Sequence, residues 1–369
     1  MIYPKVTVIV VNYNSRNKWG IVSSSLKCIL SLDYRPLEII IVDNGSTDGS
    51  FEMIKQLLSD VKLDADLNVK IIRLSKNYGF AVANIIAYKL RNPGSKYIAL
   101  INNDMCPQKD SLKRLITYLE ELGERVAGAQ GAVLSWDASY ILTYGGFITD
   151  HGMLGGIAAF MESSILRKLK PIIVTYIDGA YSVYRVEALE KAGGLFMPYF
   201  FMWGDDYELG IRLWRSGFKL IAVPIVAGKH YAGAVTTIKG STIYEPPKMP
   251  YAYEYWSWVS NIAVTIVLYG HPYPLQILKK LVIALIIAML KKSKAILRGF
   301  IDGVKLGMAL RRRILKERPW LCVPREPRFK SHLMQELAFL IHRYGYRASR
   351  IYYILVARAL GRRYINTLI

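Results

Sequence analysis

The stretch Val6-Thr7-Val8-Ile9-Val10-Val11-Asn12-Tyr13-Asn14-Ser15 decides how this chain of 369 residues is read: an unbroken β-branched run stops abruptly in polar, turn-forming residues. Apolar runs return at Leu37 to Val42, Val69 to Leu74 and Tyr97 to Ile101, each followed by a turn signal and a longer amphipathic segment. Short β-branched runs alternating with helical stretches predict repeated βα units on a mostly parallel sheet, an α/β fold of Rossmann-like type. Apolar residues at consecutive positions fit strands covered by helices on both faces.

In sheets of this kind ligands gather outside the carboxyl ends of the strands. Polar residues fall at those ends here: Asn12-Tyr13-Asn14-Ser15, Asp43-Asn44-Gly45-Ser46-Thr47-Asp48-Gly49, Asn77-Tyr78-Gly79-Phe80 and Asn102-Asn103-Asp104. Any one of them is satisfied by turn chemistry. Four at one sheet edge point to a site. Further on, Trp203-Gly204-Asp205-Asp206-Tyr207-Glu208-Leu209-Gly210-Ile211-Arg212 places three acids within four residues, and His230 follows. Taken alone, the acids also suit a solvated helix start, where negative charge favours the dipole.

The segments Val8 to Asn14, Val42 to Ser50, Asn77 to Ala81, Asn102 to Asp104 and Gly204 to Leu209, in this order, resemble the family 2 glycosyltransferases, closest to their rhamnosyltransferase-like and mannosyltransferase-like branches. The likeness runs from residue 5 to about 240 and implies a GT-A fold. It also implies an inverting hexosyltransferase that draws on a nucleotide sugar. By this resemblance Asp43, with Asn12 and Tyr13, holds the base or ribose, and Asn77 and Gly79 belong to a loop beside the nucleotide. Asn102 and Asn103 stand on the donor side, and Asp104 matches the last acid of the family's Asp-x-Asp motif. That acid binds a divalent cation, Mg2+ or Mn2+, which bridges the diphosphate; a hard cation on one or two carboxylates neutralises adjacent phosphates.

Asn102 replaces the first acid of that motif, so metal binding is expected to be weaker. His230 matches a histidine that in some members completes the metal shell; a structural histidine is the plainer reading. Asp206 is the expected general base and Asp205 its alternate, because a sugar hydroxyl attacks well only when a positioned carboxylate takes its proton. Glu208 is expected to contact the acceptor or orient its helix. Arg212, with Trp214 and Arg215, is expected to face the diphosphate or acceptor, ordinary helix surface being the alternative. Asp178 matches a loop beneath the donor sugar, and a plain turn remains open. The Gln-x-x-Arg-Trp signature of processive synthases is absent, which favours one sugar per encounter.

Charge divides the chain. From Pro272 to Ile369 there are 21 Lys and Arg against 4 Asp and Glu, while residues 1 to 271 carry 28 against 24. A nearly neutral front joined to a basic rear points to a polyanionic surface. Two regions are expected: a catalytic domain over 1–245, its end marked by the proline-rich connector Glu245-Pro246-Pro247-Lys248-Met249-Pro250, and an aromatic-rich, basic helical region over 246–369. The apolar core Leu281 to Leu290, bracketed by lysine pairs, is shorter than the roughly 20 apolar residues needed to span a bilayer. Basic amphipathic stretches follow from Ile296 to Arg313 and from Leu333 to Leu360, and they suit helices lying on an anionic membrane. The expected place is therefore peripheral, on the cytoplasmic membrane face, with a lipid-linked or membrane-bound glycan as acceptor and GDP-mannose as the favoured donor.

Nucleic-acid binding by the tail is the rival, disfavoured because Leu281 to Leu290 carries no charge to meet phosphates. A sugar nucleotidyltransferase is another; it would be expected to carry a Gly-rich phosphate loop with a basic residue near the first strand, which Asn12 to Arg16 lacks. A third reading has the tail merely bury its apolar face against the core or a second subunit. Residues 135 to 178, including Tyr144-Gly145-Gly146-Phe147 and His151-Gly152, show no clear period and are expected to shape the acceptor side. Cys28, Cys106 and Cys322 are widely spaced and suggest no disulfide framework, hence a reducing compartment. No signal peptide is expected ahead of Val6.

Overall fold

The β-branched run at Val6 becomes the central strand of a twisted, mixed sheet in the computed structural model, which describes residues 3–61, 64, 66–149, 154–231, 251–268, 273–323 and 325–329. In chain order the front half consists of β1 (Val6–Asn12), α1 (Trp19–Leu30), β2 (Leu37–Asp43), α2 (Ser50–Asp60), β3 (Leu67–Arg73), α3 (Phe80–Leu90), β4 (Tyr97–Ile101), β5 (Met105–Pro107), α4 (Ser111–Leu122) and β6 (Val126–Ser135). Short strands β7 (Ile141–Thr143), β8 (Gly146–Thr149), β9 (Leu154–Gly156) and β10 (Ile172–Val174) come next, then β11 (Tyr181–Arg185), α5 (Val186–Lys191), α6 (Asp205–Arg215) and β12 (Lys219–His230). The rear holds α7 (Tyr251–Leu268), α8 (Tyr273–Lys291), α9 (Lys294–Glu317) and β13 (Arg328–Phe329).

The main sheet runs β10-β12-β6-β11-β4-β1-β2-β3. Its β4-β1-β2-β3 half is parallel, as the βα pattern requires. Beyond β4 the order turns mixed, because β11 enters antiparallel between β4 and β6. β1, β2 and β4 are buried almost throughout, so both faces are covered as their unbroken apolar runs imply. The described part of residues 135 to 178, aperiodic in sequence, includes short strands, of which β8 and β9 belong to a separate small sheet completed by β13.

The two apolar rear segments divide differently from their sequence pattern. The aromatic stretch from Tyr251 and the run from Asn261 form one helix, α7. α7 and α9 pack against α6 through Tyr207, Ile211, Ala263, Val264, Leu310 and Ile314, with Phe200 and Leu321 in the same cluster. Gly299, Gly303 and Gly307 let α9 approach α7 so closely that an added Cβ would meet Tyr255 or Val259 backbone or the Ile266 side chain within 3.0 Å. Among the described residues these helices therefore bury part of their apolar surface on the core, as the third reading held. The Pro-rich connector, His151-Gly152 and Leu333 to Leu360 lie outside the described residues.

One expectation fails. Cys28 and Cys106 form a disulfide, with Cα atoms 5.2 Å apart. Seventy-eight positions separate them in sequence, yet the fold lays β5 beside α1, and linear spacing carries no signal of that approach. The argument for a reducing compartment from free cysteines falls with it. Cys28→Ser is expected to lower stability by about 2–4 kcal/mol, because the cross-link closes a long loop in the unfolded chain. A lower Tm of the variant without reductant, and equal Tm values with reductant, would bear this out.

Candidate active site

The strand ends converge on Asn12. Its side chain is fully buried: Nδ2 donates to Asp43 Oδ1 at 3.1 Å and lies near Ser46 and Ser50 Oγ, while Oδ1 accepts from Ser15 Oγ and from Asn103 Nδ2 at 2.9 Å. Asn12 thus ties the ends of β1, β2 and β4 together. Asn103 is drawn into the same network. Tyr13, the next residue, is 45% exposed and stands at the surface of this edge.

Asp43 is also fully buried. It accepts from the Ser46 amide at 3.0 Å and has Arg73 Nε 3.8 Å away. Asn44, which the sequence reading gave no role of its own, fastens the third strand end: Nδ2 donates to Asn77 Oδ1 and to Gly79 O, and Oδ1 accepts from the Tyr78 amide. Asn77 Oδ1 accepts in addition from the Gly79 amide. Gly79 sits at φ +87°, and a Cβ there would lie 2.3 Å from Phe201 O, so only glycine allows the two loops to touch.

At the next edge Asp104 Oδ1 lies 2.8 Å from His230 Nε2, with Asn102 Nδ2 3.5 Å from the same nitrogen. β5 pairs with the end of β12 and sets His230 opposite Met105. Burial disfavours the charged imidazole, but the Asp104 carboxylate outweighs it, and His230 titrates above its ordinary value. A carboxylate and an imidazole that converge and remain partly accessible pair a hard oxygen donor, suited to Mg2+ or Mn2+, with a borderline nitrogen donor that favours Mn2+ over Mg2+. Among the described residues no third His, Cys, Asp or Glu joins them.

The acids of α6 lie within the same electrostatic field. Gly204 caps the helix in the left-handed conformation, so Asp205, Asp206 and Glu208 all fall in the first turn. Asp205 is buried and Asp206 half-buried. Burial, then the charges of Glu208 and Asp178, push Asp205 up to about 7. Burial, then Asp205 and Asp178, raise Asp206 well above the usual carboxylate range. Asp178, held by Gln130 and by its bond from the Ala180 amide, also acts on His230. It therefore links the Asp104–His230 end to the α6 acids.

Glu208 and Arg212 do not face a ligand. The Arg212 guanidinium spends its donors on both Glu208 oxygens and on the carbonyls of Ala192, Gly194 and Leu195. It is 1% exposed, so the expectation that it meets the diphosphate or acceptor is corrected: it locks α6 to the loop after α5. Arg215 pairs with Glu326 and donates to Leu321 O, and Trp214 Nε1 donates to Val174 O. A helix whose outward-looking cations turn inward could not be told apart in sequence from one with a charged surface.

The rear helices reach the site, which no motif foretold. Ser260 Oγ of α7 donates to Met202 O, and Trp256 stacks on Phe201 with centroids 5.1 Å apart. Phe201 O in turn accepts from the Phe80 amide. The loop before α6 is thus clasped between the loop before α3 and α7. Trp203 in this loop is exposed and has φ +66°, a conformation rare for a large side chain.

Residues 7–193 match the profile of the family described as "Glycosyl transferase family 2". An uncharacterized glycosyltransferase of Haemophilus influenzae is 31% identical over 118 residues, which cover 32% of this chain and 33% of that protein. A putative teichuronic acid biosynthesis glycosyltransferase of Bacillus subtilis is 30% identical over 118 residues, covering 32% of this chain and 43% of its own. The match therefore spans less than half the length of these relatives. Among solved structures, a mannosyltransferase from Pyrobaculum calidifontis in complex with GDP-Man and Mn2+ aligns with a TM-score of 0.51 at 17% identity, over 98% of this chain and 88% of that one. GalNAc-T7 with UDP, GalNAc and Mn2+ gives 0.56 at 14% identity, over 86% and 57%. At such identities the likeness concerns the fold, which is that of GT-A enzymes.

Proposed function

The chain belongs to glycosyl transferase family 2, and from that premise we propose that it is an inverting, nonprocessive, metal-assisted transferase that moves one hexose from a nucleotide sugar to a membrane-anchored, lipid-linked acceptor. The observation that carries the reading is the α6 acid pair, raised in pKa and sharing the field of Asp178 with the Asp104–His230 pair. A proton acceptor and a phosphate-side cation site thereby fall within the field of one carboxylate.

Asp206, the more accessible of the pair, takes the proton of the acceptor hydroxyl as its oxygen attacks the anomeric carbon. The bond from that carbon to the diphosphate breaks, and the nucleoside diphosphate leaves. Asp205 sustains the raised pKa of its neighbour and serves as the alternate base. Asp104 and His230, with Asn102 beside them, would hold the divalent cation, which neutralises the diphosphate charge when bound. Asp43 and Tyr13 receive the nucleoside at the β1–β2 edge, while Asn12, Asn77, Gly79 and Asn103 keep that edge in shape. Asp178 lies between the two ends, where the donor sugar is placed.

GDP-mannose is the first donor to test, being the ligand of the similarly folded mannosyltransferase, with UDP sugars and dTDP-rhamnose next. Among the described residues no helix is long and apolar enough to cross a membrane, and the basic rear favours the anionic cytoplasmic leaflet. A thermal-shift and hydrolysis screen over these donors with Mg2+ or Mn2+ is expected to single out one nucleotide sugar whose turnover stops on chelation. Turnover of a sugar phosphate plus nucleoside triphosphate, with none of any nucleotide sugar, would support the nucleotidyltransferase reading instead.

A further inference from the structure

α8 is apolar on two opposite sides. Ile283, Ala284 and Ile287 pack against Ile262 and Ile266 of α7 and against Ile296 and Phe300 of α9. On the outer side Leu275, Leu278, Val282, Leu285 and Met289 are exposed, Met289 by 74%. Their three- and four-residue spacing gathers them into one stripe about 21 Å long at 1.5 Å per residue. The stripe contains no charged residue. Lys280 is drawn back onto Asn261 and Thr265, and Lys291 bonds Glu254. A helix with apolar surface all round is a buried or a membrane-facing helix, and a continuous exposed stripe of this kind marks a contact surface.

Charge selects the occupant. Residues 251–317 carry 11 Lys and Arg against 3 Asp and Glu. α9, packed beside α8, exposes Arg298, Lys305, Arg312 and Lys316. A twofold pairing of two copies through α8 would set the same cationic surface against itself. An anionic bilayer accepts both features, the stripe at the acyl boundary and the cations on the headgroups.

We propose that the outer face of α8 is the lipid-inserting surface of this protein, with α9 supplying the contacts to anionic headgroups and α8 lying in the membrane plane. α7 joins this surface to the loop before α6 through Ser260 and Trp256, so docking places the acid pair within reach of the interface. The proposal gives the membrane-bound acceptor suggested above a physical location, and its test does not depend on the transfer assay.

Flotation of the full chain with phosphatidylglycerol-containing vesicles and with pure phosphatidylcholine vesicles, at moderate salt, checks it. The wild type is expected to float with the anionic vesicles, and Leu278→Glu/Leu285→Glu to lose at least 10-fold in vesicle affinity at unchanged Tm. Leu122→Glu, at an equally exposed leucine of α4, is expected to float like the wild type. Undiminished flotation of the double variant, absent flotation of the wild type, or a wild-type dimer that the double variant turns into monomer would overturn the assignment. Hydrolysis of the donor by both proteins is followed separately. If no nucleotide sugar is turned over while the double variant still loses flotation, the surface stands and the proposed reaction falls.

Discussion

Asp206→Asn is expected to reduce sugar transfer by about 10²–10⁴-fold, the usual worth of a positioned general base, while the chain folds and retains donor binding. The amide keeps the size and the bond from the Tyr207 amide but cannot accept the acceptor's proton. The same change is expected to stabilise the fold at neutral pH. Burial first, then the charges of Glu208 and Asp178 on Asp205 and those of Asp205 and Asp178 on Asp206, raises the pair above the unfolded carboxylate value of about 3.9. The folded chain then binds more protons than the unfolded chain from about pH 4 up to at least the folded value of about 7. Stability contributed by these groups is present below the unfolded pKa and is lost as pH rises through that window.

Wild-type Tm should therefore fall between pH 5 and pH 8, and the fall should shrink in Asp206→Asn. Transfer by the wild type should rise over the same range, as the pair gives up its proton. Near-normal transfer by Asp206→Asn would move the role to Asp205, and loss of transfer by Asp205→Asn alone would settle on that residue. A Tm profile identical in wild type and variant would refute the raised titration of the pair.

Arg212→Ala is expected to cost about 3–5 kcal/mol of stability, the range found when one partner of a buried ion pair is removed. Glu208, fully buried, would be left charged without its partner, and three carbonyls of the loop after α5 would lose their donor. For a chain of this size the fall in Tm is on the order of 5 °C. Arg212→Met/Glu208→Leu should recover much of the loss, because an apolar pair of similar volume replaces the ion pair without stranding a charge. Donor affinity, measured well below the Tm, should stay within a few fold of wild type. A large loss of affinity at unchanged Tm would return Arg212 to the diphosphate.

The contrast between these two variants shows how unevenly the site could be read. Asp206 and Arg212 lie in one short motif, and both are polar residues at the spacing of a helix near a proposed ligand. Their fates diverge because Asp206 lies in the first turn of the helix, near Asp178, whereas Arg212 sits more than a turn further on and faces the loop after α5. Asn12 shows the same limit. Its place at the end of β1 was plain, but its complete burial follows from how β2 and β4 flank that strand. Asn44, next to Asp43, proved to be the link to Asn77 and Gly79, which only the meeting of two loops could show.

The sequence by itself determined the α/β class, the parallel strands β1 to β4, the placing of polar loops at their carboxyl ends, and the family. These follow from local rules: β-branched runs, turn residues at their ends, and a joint order of motifs. Tertiary structure alone decided the antiparallel entry of β11, the Cys28–Cys106 bond, the inward turn of Arg212 and Arg215, and the docking of α7 and α9 beside α6. Each depends on contacts between residues distant in sequence, and periodicity and spacing do not encode which distant surfaces meet. The outer stripe of α8 belongs to both: its leucines are legible at helical spacing, but that they stay exposed among the described residues is known only once α7 and α9 have taken the opposite face.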